Sequence, residues 1–370
     1  MAVYKIFPEK SATLFSFNPI TNTGLDEIIE ISTFYSIDQS NEVSRGIIKF
    51  PTSEITDIIT NKVSGSVFSS SLKLYLANAS ELPLEYSLYA YPISGSWDKG
   101  TGRLGNVPIT SNGASWKYRN QNSGSQWFSG SLALGPTFPS GTTGSYSSSF
   151  GGGLWHTASI YESTQSFSSA TEKDIDINVS NIVRDWYSGS INNQGFIIKH
   201  DNSLEFTTAS KFELKYFSDT THTIYPPCLE IKWNDSSFST GSLKVVTSSY
   251  CVAVINNNKG EYQQDSIQQF RVVVRDLYPS VAFRTSLSFA NAKCLPSSSY
   301  WSIKDLDTEE TVIDYDTQFT KISCDSSSNF FTVYMNGLEP ERYYKILVKS
   351  ILSNGEVVIL DRDYIFKVIR

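Results

Sequence analysis

Hydrophobic and polar residues alternate over many short segments of this chain, which is the pattern of β-strands with one buried face. Residues 84–90 are a clear case, with Leu84, Tyr86 and Leu88 on one face. The same alternation recurs at residues 174–179 and 211–216. The hydrophobic pattern therefore predicts strands along most of the chain.

Some segments indicate strands in other ways. Residues 271–275 form a short apolar run bounded by arginines, which is typical of a central sandwich strand. Residues 343–349 and 364–369 predict two more strands near the end of the chain. Between them, Asn354 and Gly355 predict a hairpin turn, because both residues tolerate a positive φ.

Helical periodicity is confined to short segments. Ser180 is a candidate N-cap, Ile182 and Trp186 recur at helical spacing on a core-facing side, and Gly189 ends the element. Ser53 is a candidate cap for a turn or two of helix. We expect connectors within a β fold from these segments, and not the long helices of an α/β protein.

Length and composition agree with this pattern. The 370 residues predict two domains. Hydrophobic residues make up 40% of the chain and charged residues only 18%, so Ser, Thr, Asn and Gly supply most of the polarity. These residues favour turns and strands. A polar stretch at residues 234–242 marks a linker, and the sequence predicts an all-β chain with domains at residues 1–235 and 241–370.

The segment from about residue 94 to residue 169 is rich in Gly, Ser and Thr. It also carries large aromatic residues, namely Trp97, Trp116, Tyr118, Trp127 and Trp155. A disordered linker rarely holds so many aromatic residues. We therefore expect long, ordered loops packed over one edge of the first sandwich, with residues 151–153 as a flexible or tightly turned spot.

Several short motifs follow one another along the first domain. They are Asn-Thr-Gly-Leu-Asp-Glu at 22–27, Arg-Gly-Ile-Ile-Lys-Phe at 45–50, Leu-Lys-Leu-Tyr-Leu at 72–76, Trp-Asp-Lys-Gly-Thr-Gly at 97–102, Gly-Ala-Ser-Trp at 113–116, Asp-Ile-Asn-Val-Ser at 176–180, Ile-Val-Arg-Asp-Trp at 182–186 and Asn-Asn-Gln-Gly-Phe-Ile-Ile at 192–198. In this order they resemble the DNRLRE-type (disaggregatase-related) module, which is similar to carbohydrate-binding modules. The resemblance covers about residues 5–233 and implies a jelly-roll β-sandwich.

The second domain has a resemblance of its own. Leu-Glu-Pro at 338–340, ahead of residues 343–348, is similar to the approach to a late strand of fibronectin type III domains. The domain therefore resembles an immunoglobulin or fibronectin type III sandwich. Together, and with no leader-like pattern at the start, the two modules resemble virion proteins of tailed bacteriophages. This resemblance implies synthesis in a host cytoplasm, a place in the virion, and other virion proteins as partners in a homo- or hetero-oligomer.

Charge and hydropathy narrow the range of partners. The net charge of −7 and the absence of a basic run lead us to expect no nucleic acid partner. No apolar stretch approaches the roughly 20 residues of a membrane span, so membrane insertion is not expected. The four cysteines lack Cys-x-x-Cys spacing, and we expect reduced, mostly buried thiols.

Candidate catalytic groups are scattered. His156, His200 and His222 have no partner at metal-ligand spacing, and we expect surface or loop histidines. Asp174 and Asp176 share a strand face, where they are either a Ca²⁺ or sugar site or a solvated pair. We therefore expect no enzyme, no catalytic residue, no metal site and no cofactor.

The loop aromatics allow two interpretations. Trp97, Trp116, Tyr118 and Trp127 either stack on sugar rings or anchor the long loops to the sandwich. Accordingly, two functions remain open. The chain is a structural component of a phage particle (tail, baseplate, fibre-associated or head decoration) that docks to other proteins, or it is a carbohydrate-binding adhesin that recognises host-surface glycans.

Overall fold

A computed structural model describes residues 2–35, 41–65, 67–127, 129–131, 135–137, 142–145, 151–156, 158–201, 205, 211–278 and 292–370. The chain forms two compact units. The jelly-roll unit consists of Ile6–Lys62 and Ser69–Glu230, and the immunoglobulin-like unit of Met1–Lys5, Val63–Phe68 and Ile231–Arg370. The predicted domains are consecutive, whereas the second unit also includes two short segments from the first 70 residues. Val3, for example, lies in the apolar core of that unit.

The strands and helices are short. The strands up to residue 145 are β1 (Ala2–Ile6), β2 (Lys10–Phe15), β3 (Ile28–Tyr35), β4 (Asn41–Lys49), β5 (Phe68–Leu74), β6 (Leu76–Ser80), β7 (Glu85–Pro92), β8 (Tyr118–Asn120), β9 (Ser125–Gln126), β10 (Ser129–Ser131), β11 (Gly135–Thr137) and β12 (Thr142–Ser145). The next are β13 (Gly151–His156), β14 (Ser163–Ser168), β15 (Ile175–Asn178), β16 (Phe196–His200), β17 (Phe212–Phe217) and β18 (Cys228–Trp233). The last are β19 (Lys244–Val245), β20 (Cys251–Ile255), β21 (Glu261–Gln263), β22 (Ile267–Asp276), β23 (Lys293–Cys294), β24 (Ser299–Asp305), β25 (Thr311–Ile313), β26 (Ser323–Cys324), β27 (Asn329–Tyr334), β28 (Tyr343–Ile351) and β29 (Val357–Ile369). The helices are α1 (Thr52–Asp57), which continues as a π-helix (Ile58–Val63), α2 (Ser180–Ser188), and 3₁₀ turns at Ser159–Tyr161 and Met335–Gly337.

The jelly-roll unit is built on one large antiparallel sheet with the order β14-β7-β16-β4-β3-β17-β6, in which β2 also pairs with β4. A four-stranded sheet has the order β1-β18-β5-β15. In β16, Ile197 and Ile198 point to opposite faces of the large sheet, and both are fully buried. Both faces of the sheet are thus covered at this strand, which explains its uninterrupted run of buried residues.

The alternating segments form strands, with one shift. Tyr86 and Leu88 are buried in β7 as predicted, but Leu84 precedes the strand and is 81% exposed. The predicted position of Leu84 on the buried face is therefore wrong, because the pleat begins only at Glu85. The segments at 174–179 and 211–216 correspond to β15 and β17.

The predicted helix at residue 180 is confirmed as α2. Ile182 and Trp186 are buried, and Gly189 ends the helix with a φ of 78°. The predicted cap is wrong, because Ser180 is the first helical residue, and its hydroxyl accepts a hydrogen bond from the Ser70 N–H at 2.9 Å. Similarly, α1 begins at Thr52, one residue before Ser53.

The immunoglobulin-like unit contains two sheets. One has the order β19-β23-β22-β27-β26, with β20 also paired to β22, and the other has the order β21-β29-β28-β24-β25. The central strand predicted at 271–275 is confirmed as part of β22. Gly355, with a φ of 82°, turns the chain between β28 and β29, so the predicted hairpin is confirmed as well.

The core of this unit has features of the immunoglobulin fold. Trp301 of β24 is buried and stacks on Phe331 of β27, with ring centroids 5.2 Å apart. The Tyr344 hydroxyl, near the start of β28, donates a hydrogen bond to the Glu339 carbonyl at 3.0 Å. Such a tyrosine corner, together with a buried tryptophan facing the opposite sheet, is typical of immunoglobulin-like sandwiches. The chain is therefore all-β, a jelly roll followed by an immunoglobulin-like sandwich.

Candidate functional site

One face of the large sheet is covered by the loops that precede β13. The strand residues on this covered face and the loop residues above them form one apolar cluster. It comprises Ala12, Leu14, Val43, Ile47 and Ile197 from the strands, and Ile93, Trp97, Ala114, Trp116, Trp127, Leu154 and Trp155 from the loops and β13. The glycine- and serine-rich segment is thus held to the sheet by its tryptophans.

The four aromatic residues considered for sugar stacking differ in exposure. Trp97, Trp116 and Trp127 are only 2%, 0% and 3% exposed. The indole N–H of Trp97 donates to the Gln194 carbonyl, and that of Trp127 donates to the Ser115 carbonyl, both at 2.8 Å. Their faces pack in the cluster of the covered face, so in this conformation they anchor loops and do not face solvent. Tyr118 is the one of the four that is half-buried.

Asn22 joins three of the motif segments. Its side-chain amide donates to the carbonyls of Lys99 and Ala114, both at 2.8 Å. Its carbonyl oxygen accepts from the backbone N–H groups of Gly24 at 3.2 Å and Gly102 at 2.7 Å. Asn22 is fully buried, and three of the four bonds, all but the one to Lys99, are shielded from water.

The glycines of these motifs are required by the close approach of the loops. Gly100 has a φ of 76°, and a Cβ atom there would lie 2.4 Å from the Asn22 side-chain oxygen. The motifs at 22–27, 97–102 and 113–116 therefore form a single loop junction. Their order along the chain therefore reflects the way the loops pack on one another.

A buried ion cluster lies under the loops. Arg45 and Glu205 form a bidentate pair at 2.9 and 2.8 Å, and Lys199 lies 3.1 Å from the same carboxylate. All three side chains are at most 3% exposed. Burial is the largest influence on Lys199 and lowers its pKa, although Glu205 acts in the opposite direction. Two buried cations thus share one carboxylate.

The surroundings of Arg45 are aromatic and tightly packed. Its guanidinium lies 5.0 Å from the Trp116 ring centroid and 5.3 Å from that of Trp155, and it donates to the Gly152 carbonyl at 2.7 Å. Gly152 has a φ of 80°, and a Cβ there would lie 2.7 Å from the guanidinium. The segment at residues 151–153, predicted to be flexible or tightly turned, is therefore buried and close-packed.

Sequence reasoning missed this cluster, although one indication was present. Arg45 occupies the same strand face as Val43 and Ile47, which are apolar and buried. A charged residue at such a position requires a buried partner. Nothing in the local sequence points to Glu205 as that partner, because the two residues are 160 positions apart.

An open groove of about 520 Å³ lies along β7 and β14, which is an edge strand of the large sheet. We call it the tyrosine groove. Its lining residues are Glu85, Tyr86, Ser87, Tyr89, Ser166, Phe167, Ser168, Thr171 and Asp201. Tyr89 is half-buried, and its ring lies parallel to that of Tyr91 with centroids 6.1 Å apart. The groove therefore combines an aromatic ring with hydroxyl groups and carboxylates.

A second surface feature is apolar. Five exposed apolar side chains extend from two neighbouring loops, and we call them the apolar patch: Phe17, Ile20, Leu104, Val107 and Ile109. Val107 is 96% exposed. The loops are joined by a hydrogen bond from the Asn22 N–H to the Thr110 carbonyl at 3.1 Å, and by one from the Leu104 N–H to the Asp26 carboxylate.

Of the histidines, His200 lies beside the tyrosine groove, with its ring centroid 5.9 Å from that of Tyr86. His200 is 1% exposed, and its ring lies 3.8 Å from that of Phe212, so its prediction as a surface or loop residue is wrong. Burial is the main cause of the lowered pKa of His200. Asp176 pairs with Lys73 at 3.4 Å, and Asp174 accepts a hydrogen bond from the Leu76 N–H at 2.7 Å. Within the described ranges, no group of three or more His, Cys, Asp or Glu residues could hold a metal ion.

Among the described residues, no helix is both long and apolar enough to cross a membrane. No protein-family model and no curated protein sequence matches the chain.

Proposed function

We propose that this chain is a structural component of a tailed-bacteriophage particle that acts by docking to other virion proteins. The resemblance of its two modules to phage proteins supports the proposal. The single observation that carries it is the apolar patch on the jelly-roll unit. Its exposed apolar residues lie on two loops that are hydrogen-bonded to each other, and exposed apolar patches are typical of protein–protein interaction sites.

The patch is held in one conformation by local hydrogen bonds. The Asn106 N–H donates to the Arg103 carbonyl at 3.2 Å, and the Asn106 side chain donates to the Thr110 hydroxyl at 3.1 Å. Loops that are already ordered lose less conformational entropy on binding than mobile loops do. The patch is therefore suited to a lasting contact.

The chemistry of the patch favours a protein subunit with an apolar surface as its partner. None of its five side chains carries a charge or a hydrogen-bonding group. A sugar would leave its hydroxyl groups unpaired on such a surface, whereas apolar side chains of another subunit would be buried with Val107.

Replacing Val107 with aspartate is expected to reduce incorporation of the chain into particles at least tenfold. A buried, unpaired carboxylate at the interface costs several kcal/mol, and about 1.4 kcal/mol already corresponds to a factor of ten. Mass spectrometry of purified particles measures incorporation. The matched control is Leu84→Asp, at an aliphatic residue that is 81% exposed and lies at the opposite end of β7 from the loop region.

Two outcomes would contradict the proposal. The first is the absence of the unmodified chain from purified particles. The second is equal incorporation of the Val107→Asp and Leu84→Asp variants, which would remove the apolar patch from the interface. If the isolated chain self-associates and Val107→Asp abolishes this, the apolar patch forms contacts between copies of the chain.

The tyrosine groove supports a second candidate function, the binding of host-surface glycans. Sugar-binding sites combine an aromatic ring, which stacks on the apolar face of a pyranose, with groups that hydrogen-bond its hydroxyls. Tyr89 supplies the ring, Ser87 and Ser166 the hydroxyls, and Glu85 and Asp201 the carboxylates. Tyr118 is the other partly exposed candidate.

If the chain is an adhesin, we expect a glycan array to give reproducible binding that Tyr89→Ala reduces at least about fivefold, because an aromatic stacking contact of about 1–3 kcal/mol is lost. If Tyr118→Ala, and not Tyr89→Ala, reduces glycan binding, the sugar binds at Tyr118. Tyr187→Ala, at an exposed tyrosine of α2, is the matched control. An array without binding to the unmodified chain would remove this candidate.

A further inference from the structure

The four cysteines are buried thiols, and two of them lie together in the immunoglobulin-like unit. Cys294 is in β23, and Cys324 is in β26. The two thiols lie close enough to influence each other's pKa, and they are 0% and 1% exposed. The Cys324 thiol also donates a hydrogen bond to the Asp325 carbonyl at 3.4 Å.

The backbone around the pair is held by one side chain. Asn329, which is fully buried, accepts a hydrogen bond from the N–H of Leu295 at 2.7 Å. Its amide donates to the carbonyl of Ser323 at 3.4 Å, and its backbone is in register with Cys324. The residue after Cys294 and the residue before Cys324 are thus bound to the same amide.

Further backbone bonds fix each cysteine separately. The Val246 N–H donates to the Cys294 carbonyl at 2.9 Å. The Cys324 N–H donates to the Ser237 carbonyl, and the Cys324 carbonyl accepts from the Ser239 N–H, both at 2.9 Å. These bonds fix the backbone position of both cysteines.

We propose that Cys294 and Cys324 are a redox pair that closes to an intrasheet disulfide when the chain folds in oxidising surroundings. This pair differs from the bridge between the two sheets that antibody domains contain. Lys293, next to Cys294, is in register with Val274 of β22, and Asn329, the partner of Cys324, is in register with Val272 of the same strand. The bond would therefore join β23 to β26 within one sheet. The inference is independent of the proposed docking function.

The reaction requires a small-molecule disulfide as oxidant. One cysteine thiolate attacks it, which forms a mixed disulfide and releases one thiol, and the second cysteine then displaces the other thiol. The two cysteines lose two protons and two electrons, and the oxidant is reduced to two thiols. Burial raises the pKa of both thiols, that of Cys324 to about 12, so oxidation of the folded chain should be slow. We expect the bond to form during folding.

The test is production of the full chain in bacterial cells with a reducing cytoplasm and in cells with an oxidising one. Free thiols are alkylated under denaturing conditions and counted by intact mass, and the linkage is located by peptide mapping. We expect four free thiols from the first source, two from the second, and a peptide that joins Cys294 to Cys324. The oxidised chain should also have a Tm higher by about 5–10 °C.

Cysteine-to-serine variants identify the two residues that form the bond. Cys294→Ser should leave three free thiols from both sources, whereas the control Cys251→Ser should leave one free thiol after oxidation. Four free thiols in the soluble chain from the oxidising cells would overturn the proposal. A bridge to Cys228 or Cys251 would do the same.

Discussion

Replacing Glu205 with glutamine is expected to lower the free energy of unfolding by about 3–5 kcal/mol. The carboxylate is the shared partner of Arg45 and Lys199, and all three groups are buried. Without it, two buried cations lose the carboxylate that they share. Guanidinium chloride unfolding followed by tryptophan fluorescence measures the loss, because Trp116 and Trp155 lie over Arg45.

The control is the same substitution in an exposed ion pair. Glu9 lies 2.9 Å from Lys49, and its side chain is 38% exposed. Because water and salt screen such a pair, Glu9→Gln should cost less than about 1 kcal/mol. If the two variants had equal stability, the buried cluster would not contribute to folding in the way its geometry indicates.

Replacing Asn22 with alanine is expected to cost about 4 kcal/mol. The change removes four hydrogen bonds at about 1 kcal/mol each, and three of the four backbone groups that lose their partner lie in the interior. Thermal unfolding measures the loss. Because Asn22 connects the loop segments to one another, limited proteolysis should also cleave the variant first between residues 97 and 116.

Asn112 provides a control in the same loops. Its side chain bonds to Thr101 at 2.8 and 2.9 Å, but these bonds are open to solvent. Water can replace them, so Asn112→Ala should cost about 1 kcal/mol or less. Equal losses at residues 22 and 112 would show that the buried junction does not hold the loops.

Most of the strands could be predicted from the sequence, because the side-chain period of a strand is local. The residues of β15 and β17 alternate, and each strand has one buried face. The end of α2 was also predictable, because Gly189 adopts a conformation that other residues avoid. These features depend on residues that are neighbours in the chain.

The candidate surfaces could not be predicted in the same way. Alternation shows that Val43, Arg45 and Ile47 share a face, but it does not show which distant loop covers that face. The exposure of Trp116 and Trp127 depends on that loop, so the two interpretations of these residues could not be separated from sequence alone. The tyrosine groove likewise depends on the pairing of β7 with β14, whose residues are about 80 positions apart, for example 79 between Ser87 and Ser166.

The distance in sequence between Arg45 and Glu205 also constrains the order of events in biosynthesis. The ribosome adds Glu205 after β4 and the tryptophan-bearing loops have been made. The buried pair of Arg45 and Glu205 therefore cannot form while those loops are being synthesised. Arg45 must wait for its counter-ion in contact with water. A guanidinium keeps this face of the incomplete sheet hydrated during that time. An aliphatic residue in its place would enlarge an exposed apolar surface that is prone to aggregation.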